Sequence, residues 1–182
     1  MPRSPAQNQL LRAATRTRLL DAALLLFARD GFANTSVKAI AAEAGLATGL
    51  LYSHFPSKDA LLLALFERSL ADVQTSFAEA GPDLHLPTLI RGAAALVRQH
   101  LPFWRLFYSV RSQPAALAAL GPLLATWTRS IRGALESSLS EAEAYALFTQ
   151  IDGVCEHFAL YQPDLPLDDV VEAIVARWTA PR

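Results

Sequence analysis

Between Ser36 and Phe55 the chain reads SVKAIAAEAGLATGLLYSHF, and this stretch leaves few folds open. Val37, Ile40, Ala41 and Ala44 recur at i, i+3, i+4 and i+7, the spacing of one apolar stripe on a helix, with Lys38 and Glu43 left outside it. Ser36 supplies an N-cap. Gly45 stands where a helix needs a residue that tolerates left-handed backbone in order to stop and turn. After Leu46 a second short helix is expected from about Ala47 to His54, with Leu51 and Phe55 inward and Thr48, Gly49, Tyr52 and Ser53 outward. Pro56 ends it. Two helices too short to stand alone, joined by a tight glycine turn, make a helix-turn-helix. The small residues Ala47, Thr48 and Gly49 at the start of the second helix suit close approach of its backbone to a nucleic-acid surface.

The run from Leu19 to Leu62 resembles the DNA-binding domain of the TetR family of bacterial transcriptional regulators. The residues that carry the resemblance are a first helix ending in Phe27, Gly31 and Phe32, then Thr35-Ser36-Val37, Ile40-Ala41, Ala44-Gly45, Leu51-Tyr52 and Phe55-Pro56-Ser57-Lys58. It implies an all-α fold of about nine helices. A flexible basic arm is expected over residues 1–14 and a three-helix DNA-binding domain over 15–60, with its motif at about 36–55. A helical ligand-binding and dimerisation domain would follow over 61–182.

The same resemblance, carried over by position, gives DNA-contact candidates. Thr35, Lys38, Tyr52, His54 and Lys58 would position the domain on phosphates, Thr48, Gly49, Leu50 and Ser53 would face base edges in the major groove, and Ser36 and Ala47 belong to the same DNA-binding set. Leu50 suits a thymine methyl. A packed tyrosine tip for Tyr52 and a solvated lysine at a helix start for Lys58 are the alternatives. The chain departs from the family at Ala47-Thr48, where a serine followed by lysine, arginine or proline is common. No arginine or lysine lies between Glu43 and Lys58, so no bidentate guanine contact can come from this helix. Readout would lean on apolar contacts, DNA shape and an arm in which Arg3 and Arg12 reach the minor groove.

Charge distribution fits. Net charge is only -1, but residues 1–60 hold seven bases against four acids, a balance of +3, and residues 61–182 hold nine bases and thirteen acids, a balance of -4. Such asymmetry by itself also describes ordinary solvated helix faces. With 182 residues, 52% of them hydrophobic, the chain can bury a sizeable core. Its single cysteine, Cys155, rules out an internal disulfide and reads as a small buried hydrophobe. No metal-site spacing, signal peptide or membrane-spanning run is found, so a soluble cytoplasmic protein without cofactor is expected. No Ser-His-Asp set, glycine-rich phosphate loop or framed carboxylate pair suggests an enzyme.

The rest of the chain reads as helices. Ser57 caps one that runs to about Ala80 with a stripe of Leu62, Phe66, Leu70, Val73 and Phe77, before Gly81-Pro82. Others are expected from Leu86 to His100, from the Pro102 break to Ser112, from Pro114 to Leu120, from Pro122 to Ser138, from Glu141 to Tyr161 and from Leu167 to Trp178. Ser140 and Glu143 form a capping box.

Two features of this half have open readings. Leu147, Ile151, Val154, Phe158 and Tyr161, with Val171, Ile174, Val175 and Trp178, are either ordinary core or the faces that pair with a second copy. Two-fold symmetry favours a homodimer, because one short recognition helix offers few base contacts, and the resembled family dimerises through these helices. His100, Phe103, Trp104, Phe107, Tyr108, Trp127, Phe148, Asp152 and His157, with Arg105 and Gln113, are either core or the lining of a pocket for a flat, greasy effector. The expectation is a homodimeric repressor that leaves double-stranded operator DNA when a small apolar or aromatic molecule binds, the signal passing through the Ser57-to-Ala80 helix. A regulator of the same fold without a small-molecule inducer, either an activator or one controlled by a protein partner, is the alternative; it would show a filled core around Trp104 and Trp127.

Overall fold

A computed structural model describes residues 4–79 and 85–180. The described residues form nine α-helices and no strand: α1 (Pro5–Asp30), α2 (Val37–Glu43), α3 (Thr48–His54), α4 (Lys58–Glu79), α5 (Leu86–Gln99), α6 (Leu101–Val110), α7 (Pro114–Glu136), α8 (Glu141–Leu160) and α9 (Leu167–Thr179). The all-α expectation holds. None of the nine is long and apolar enough to cross a membrane.

Residues 5–14, expected as a flexible arm, are instead the first turns of α1. Ser4 and Gln7 form a reciprocal capping box and Pro5 occupies the first helical position, so the start is locally encoded. These turns stand clear of the core, with every residue from Ser4 to Ala14 exposed. Arg3 lies outside the described residues. Farther on, Leu19, Leu20, Ala23, Leu26 and Phe27 are buried. The helix stops at Gly31, whose φ of +83° favours glycine.

Ser36 caps α2 by accepting from the Ala39 N–H, and Gly45 turns the chain at φ +64°. Ile40, Ala41, Ala44, Leu51 and Phe55 then close a core with α1 and with Leu61, Leu62 and Leu65 of α4. Arg18 of α1 donates to the Ala44 carbonyl at 2.5 Å, satisfying the exposed end of α2. Ser57 caps α4 through the Ala60 N–H. The expected end of this helix at Ala80 and the Gly81-Pro82 stop fall outside the described residues, as does the Phe77 side chain. Leu62, Phe66, Leu70 and Val73 of its stripe are buried.

In the C-terminal half, α6 packs against α1, α5 and α8, and α5 lies along α9. Arg91 and Glu172 pair at 2.6 Å and Arg98 and Asp168 at 3.1 Å across that last contact. The break between α5 and α6 falls at His100, where Pro102 sits in the first turn of α6. The expected interruption at Gly121-Pro122 does not occur. Helix α7 is continuous, with Pro122 inside it. Pro122 and the Ala118 carbonyl it leaves unbonded lie on the exposed side, where water can take that bond. The capping box of Ser140 and Glu143 starts α8 as expected.

Candidate functional site

The helix-turn-helix presents one open face. Leu51 and Phe55 are buried beneath α3, whereas Ala47, Gly49, Leu50, Tyr52 and Ser53 are exposed and Thr48 and His54 half-buried. A side chain added at Gly49 would meet nothing within 4 Å, so the helix surface there is flat. Lys38 on α2 is exposed beside it.

Three candidate phosphate contacts also carry structural duties. Thr35 is 4% exposed and its hydroxyl donates to the Gly31 carbonyl at 2.8 Å, so that hydroxyl faces inward. Ser36 spends its oxygen on the α2 cap. The Lys58 ammonium donates to the carbonyls of Phe32, at 2.8 Å, and Thr35, at 3.1 Å, and lies 4.5 Å from the Phe32 ring. It ties α4 to the loop after α1, and neither the phosphate-contact nor the solvated-lysine reading anticipated this.

Sequence reasoning assigned Arg12 to a minor-groove arm and passed over Arg16; the folded α1 brings both cations to α3. Arg12 approaches the Ser53 carbonyl at 3.4 Å, and the Arg16 guanidinium stands 5.0 Å over the Phe55 ring; both are exposed. Partial burial, then the charges of Arg12 and Arg16, hold the His54 pKa below the ordinary imidazole value. The signal was the i, i+4 spacing of the two arginines, which becomes readable once this stretch is a helix.

A cavity of about 610 Å³ lies among α5, α6, α7 and α8. Trp104, Phe107, Tyr108, Trp127, Phe148 and Asp152 line it as expected, together with Arg111, Tyr145, Leu96 and Ile131. Asp152 and Arg111 form an ion pair at 2.7 Å near its edge. Burial works against the Arg111 charge, but the hydrogen bond and charge of Asp152 outweigh it and raise its pKa. Burial pushes Cys155, also in the lining, up to about 12, so it stays a neutral thiol.

Five expected lining residues are elsewhere. His100 and Phe103 border a separate cleft of about 250 Å³ with Leu24, Arg68 and Asp72, because they lie on the α1 side of α6. His157 is exposed on the outer side of α8, 5.6 Å from the Tyr161 ring. Arg105 donates to the Ala159 carbonyl and Gln113 to the Ser109 carbonyl, both away from the cavity.

The expected dimer-face residues divide in a similar way. Leu147, Phe158, Val171, Ile174 and Val175 are buried inside the chain, since α8 and α9 need that stripe to cover α5 and α6. Ile151, Val154 and Trp178 are half-buried, and Tyr161 is exposed. The outward faces of these helices carry Ala142, Ala146, Gly153, Ala173 and Ala176, all exposed.

Comparison with known proteins bears on both halves. Residues 19–65 match the pattern of "Bacterial regulatory proteins, tetR family". The HTH-type transcriptional regulator UidR of Escherichia coli K12 is 46% identical over 61 residues, 31% of this chain and 31% of that protein. The HTH-type transcriptional repressor KstR2 of Rhodococcus jostii RHA1 is 37% identical over 75 residues, 41% of this chain and 37% of that protein. The matched part thus spans about a third of these relatives' length. A solved TetR-like transcriptional regulator from Rhodococcus sp. RHA1 is covered end to end, with a TM-score of 0.72 and 27% identity. Those named relatives are transcriptional regulators.

Proposed function

We propose that this chain, whose residues 19–65 match the pattern of the tetR family of bacterial regulatory proteins, is a homodimeric, operator-binding repressor released by a small, largely apolar effector. The observation that carries the proposal is the open face of α3, held over buried Leu51 and Phe55. A short helix so anchored can enter a major groove, and two of them on a two-fold axis would read half-sites about 34–36 Å apart. Lys38 and Tyr52, with Arg12 and Arg16, supply phosphate contacts, and Thr48, Gly49, Leu50 and Ser53 meet the bases. The sign of regulation follows KstR2, named a repressor. The site of action is the cytoplasm, where bacterial DNA lies.

A cavity bordered by both Trp104 and Trp127 supports ligand control over the alternative without an inducer. Its α6 wall is in turn packed on α1, which gives the effector a direct route to the DNA-reading domain beside the one through α4. To work as an inducer, the effector must bind the DNA-incompetent state more tightly.

Selection of bound sites from a random duplex pool by the purified protein tests this. An enriched palindrome with half-sites about one helical turn apart is expected; enrichment of a single unrepeated half-site would overturn the dimeric reading, and no enrichment would overturn specific binding.

A further inference from the structure

The cavity lining has a charge pattern that restricts what can occupy it. Its cation, Arg111, and its carboxylate, Asp152, already neutralise each other at 2.7 Å. Tyr108 in the same lining is 3% exposed; its hydroxyl makes no hydrogen bond to another described residue and is not among the sealed, unpartnered polar atoms, so it is open to the cavity. A phenol open to a cavity can meet a ligand's oxygen there. The remaining surface is dominated by Leu96, Phe107, Trp127, Ile131 and Phe148.

Resting on the proposed effector site, we infer that the cavity takes an uncharged aromatic or alicyclic molecule bearing one hydrogen-bonding oxygen, which the Tyr108 hydroxyl meets. An anion would need Arg111 and a cation would need Asp152. Either would have to displace a partner from the existing pair, whose Asp152 side chain is only 18% exposed while Arg111, 41% exposed, is partly served by water. An uncharged ligand leaves the pair intact and gives Tyr108 the bond it lacks. Because Arg111 stands 5.6 Å from the Tyr108 ring, pair and phenol form one polar end of the cavity. The ligand's oxygen belongs there and its rings belong among the tryptophans.

The test is calorimetric titration of the full chain near neutral pH with four probes of one skeleton: naphthalene, naphthol, naphthoate and aminomethylnaphthalene. Naphthol is expected to bind tightest, by about threefold or more over either ion. Tyr108→Phe should bring naphthol down to the level of naphthalene without changing naphthalene itself. Asp152→Asn, which frees Arg111, should turn the preference towards naphthoate. Binding of either ion as tightly as naphthol to the unaltered protein, or binding of none of the four, would overturn the inference. If naphthol binds in this pattern yet leaves operator affinity unchanged, the ligand class stands and ligand-driven release falls.

Discussion

Gly45 shows how far one residue can be read. Its φ of +64° puts an L-residue in left-handed backbone, and an added Cβ would come within 3.2 Å of the Arg18 guanidinium that caps α2. Gly45→Ala should cost about 1–2 kcal/mol in urea unfolding and loosen the angle between α2 and α3. Arg12 and Arg16 were legible as charges but not as neighbours of α3, because their place depends on α1 continuing back to Pro5. If they contact phosphates, replacing both with glutamine should flatten the slope of log affinity against log salt by about 2, roughly 0.9 per contact. A purely structural role would lower stability and leave the slope alone. His54 sits between them with a depressed pKa. Free, it loses its proton below the ordinary value of about 6.5, and a nearby phosphate pulls that pKa up, so binding takes up a proton. Operator affinity should therefore rise as pH falls through the window around 6.5, and His54→Asn should flatten that dependence, measured by fluorescence anisotropy at constant salt.

Helices obey rules that are mostly local, which is why the caps at Ser36, Ser57 and Ser140 and the turn at Gly45 could be placed from the sequence. What could not be placed is which neighbour each face meets. Along α6, Trp104, Phe107, Tyr108 and Arg111 share a cavity-facing side while Phe103 turns to Phe66 at 5.3 Å. The aromatic run is so dense that periodicity assigns several of these to either side. Helix α7 failed for another reason: a glycine-proline pair ordinarily ends a helix, but here its freed carbonyl faces water and Trp127 and Leu120 hold the two halves to one core. Pro122→Ala should restore the missing bond and stabilise the fold by about 1–2 kcal/mol, less than the full interior penalty because water already serves that carbonyl. A loss of stability would mean that the proline shapes the cavity wall.

At the scale of the whole molecule, the buried stripes of α8 and α9 turn inward, so a second copy would meet the opposite faces, beside half-buried Val154 and Trp178 and exposed Tyr161. Those faces present Ala142, Ala146, Gly153, Ala173 and Ala176, small side chains that allow helix backbones to approach closely over a long contact. Core residues and interface residues on one helix cannot both be read from a single apolar period, and the conspicuous large residues marked the core. Placing a bulky charge on the outer face separates the two roles. Gly153→Arg should leave the monomer fold intact, since a side chain there meets nothing within 4 Å, yet convert a dimer to monomers by sedimentation. Operator affinity should then fall by about 100-fold or more, because the second half-site would no longer be bound at the high effective concentration that linkage provides. Retention of the dimer by this variant would place the interface elsewhere on the chain; monomers with unchanged operator affinity would mean that a single copy carries the recognition, and the two-fold reading of the α3 face would have to be abandoned.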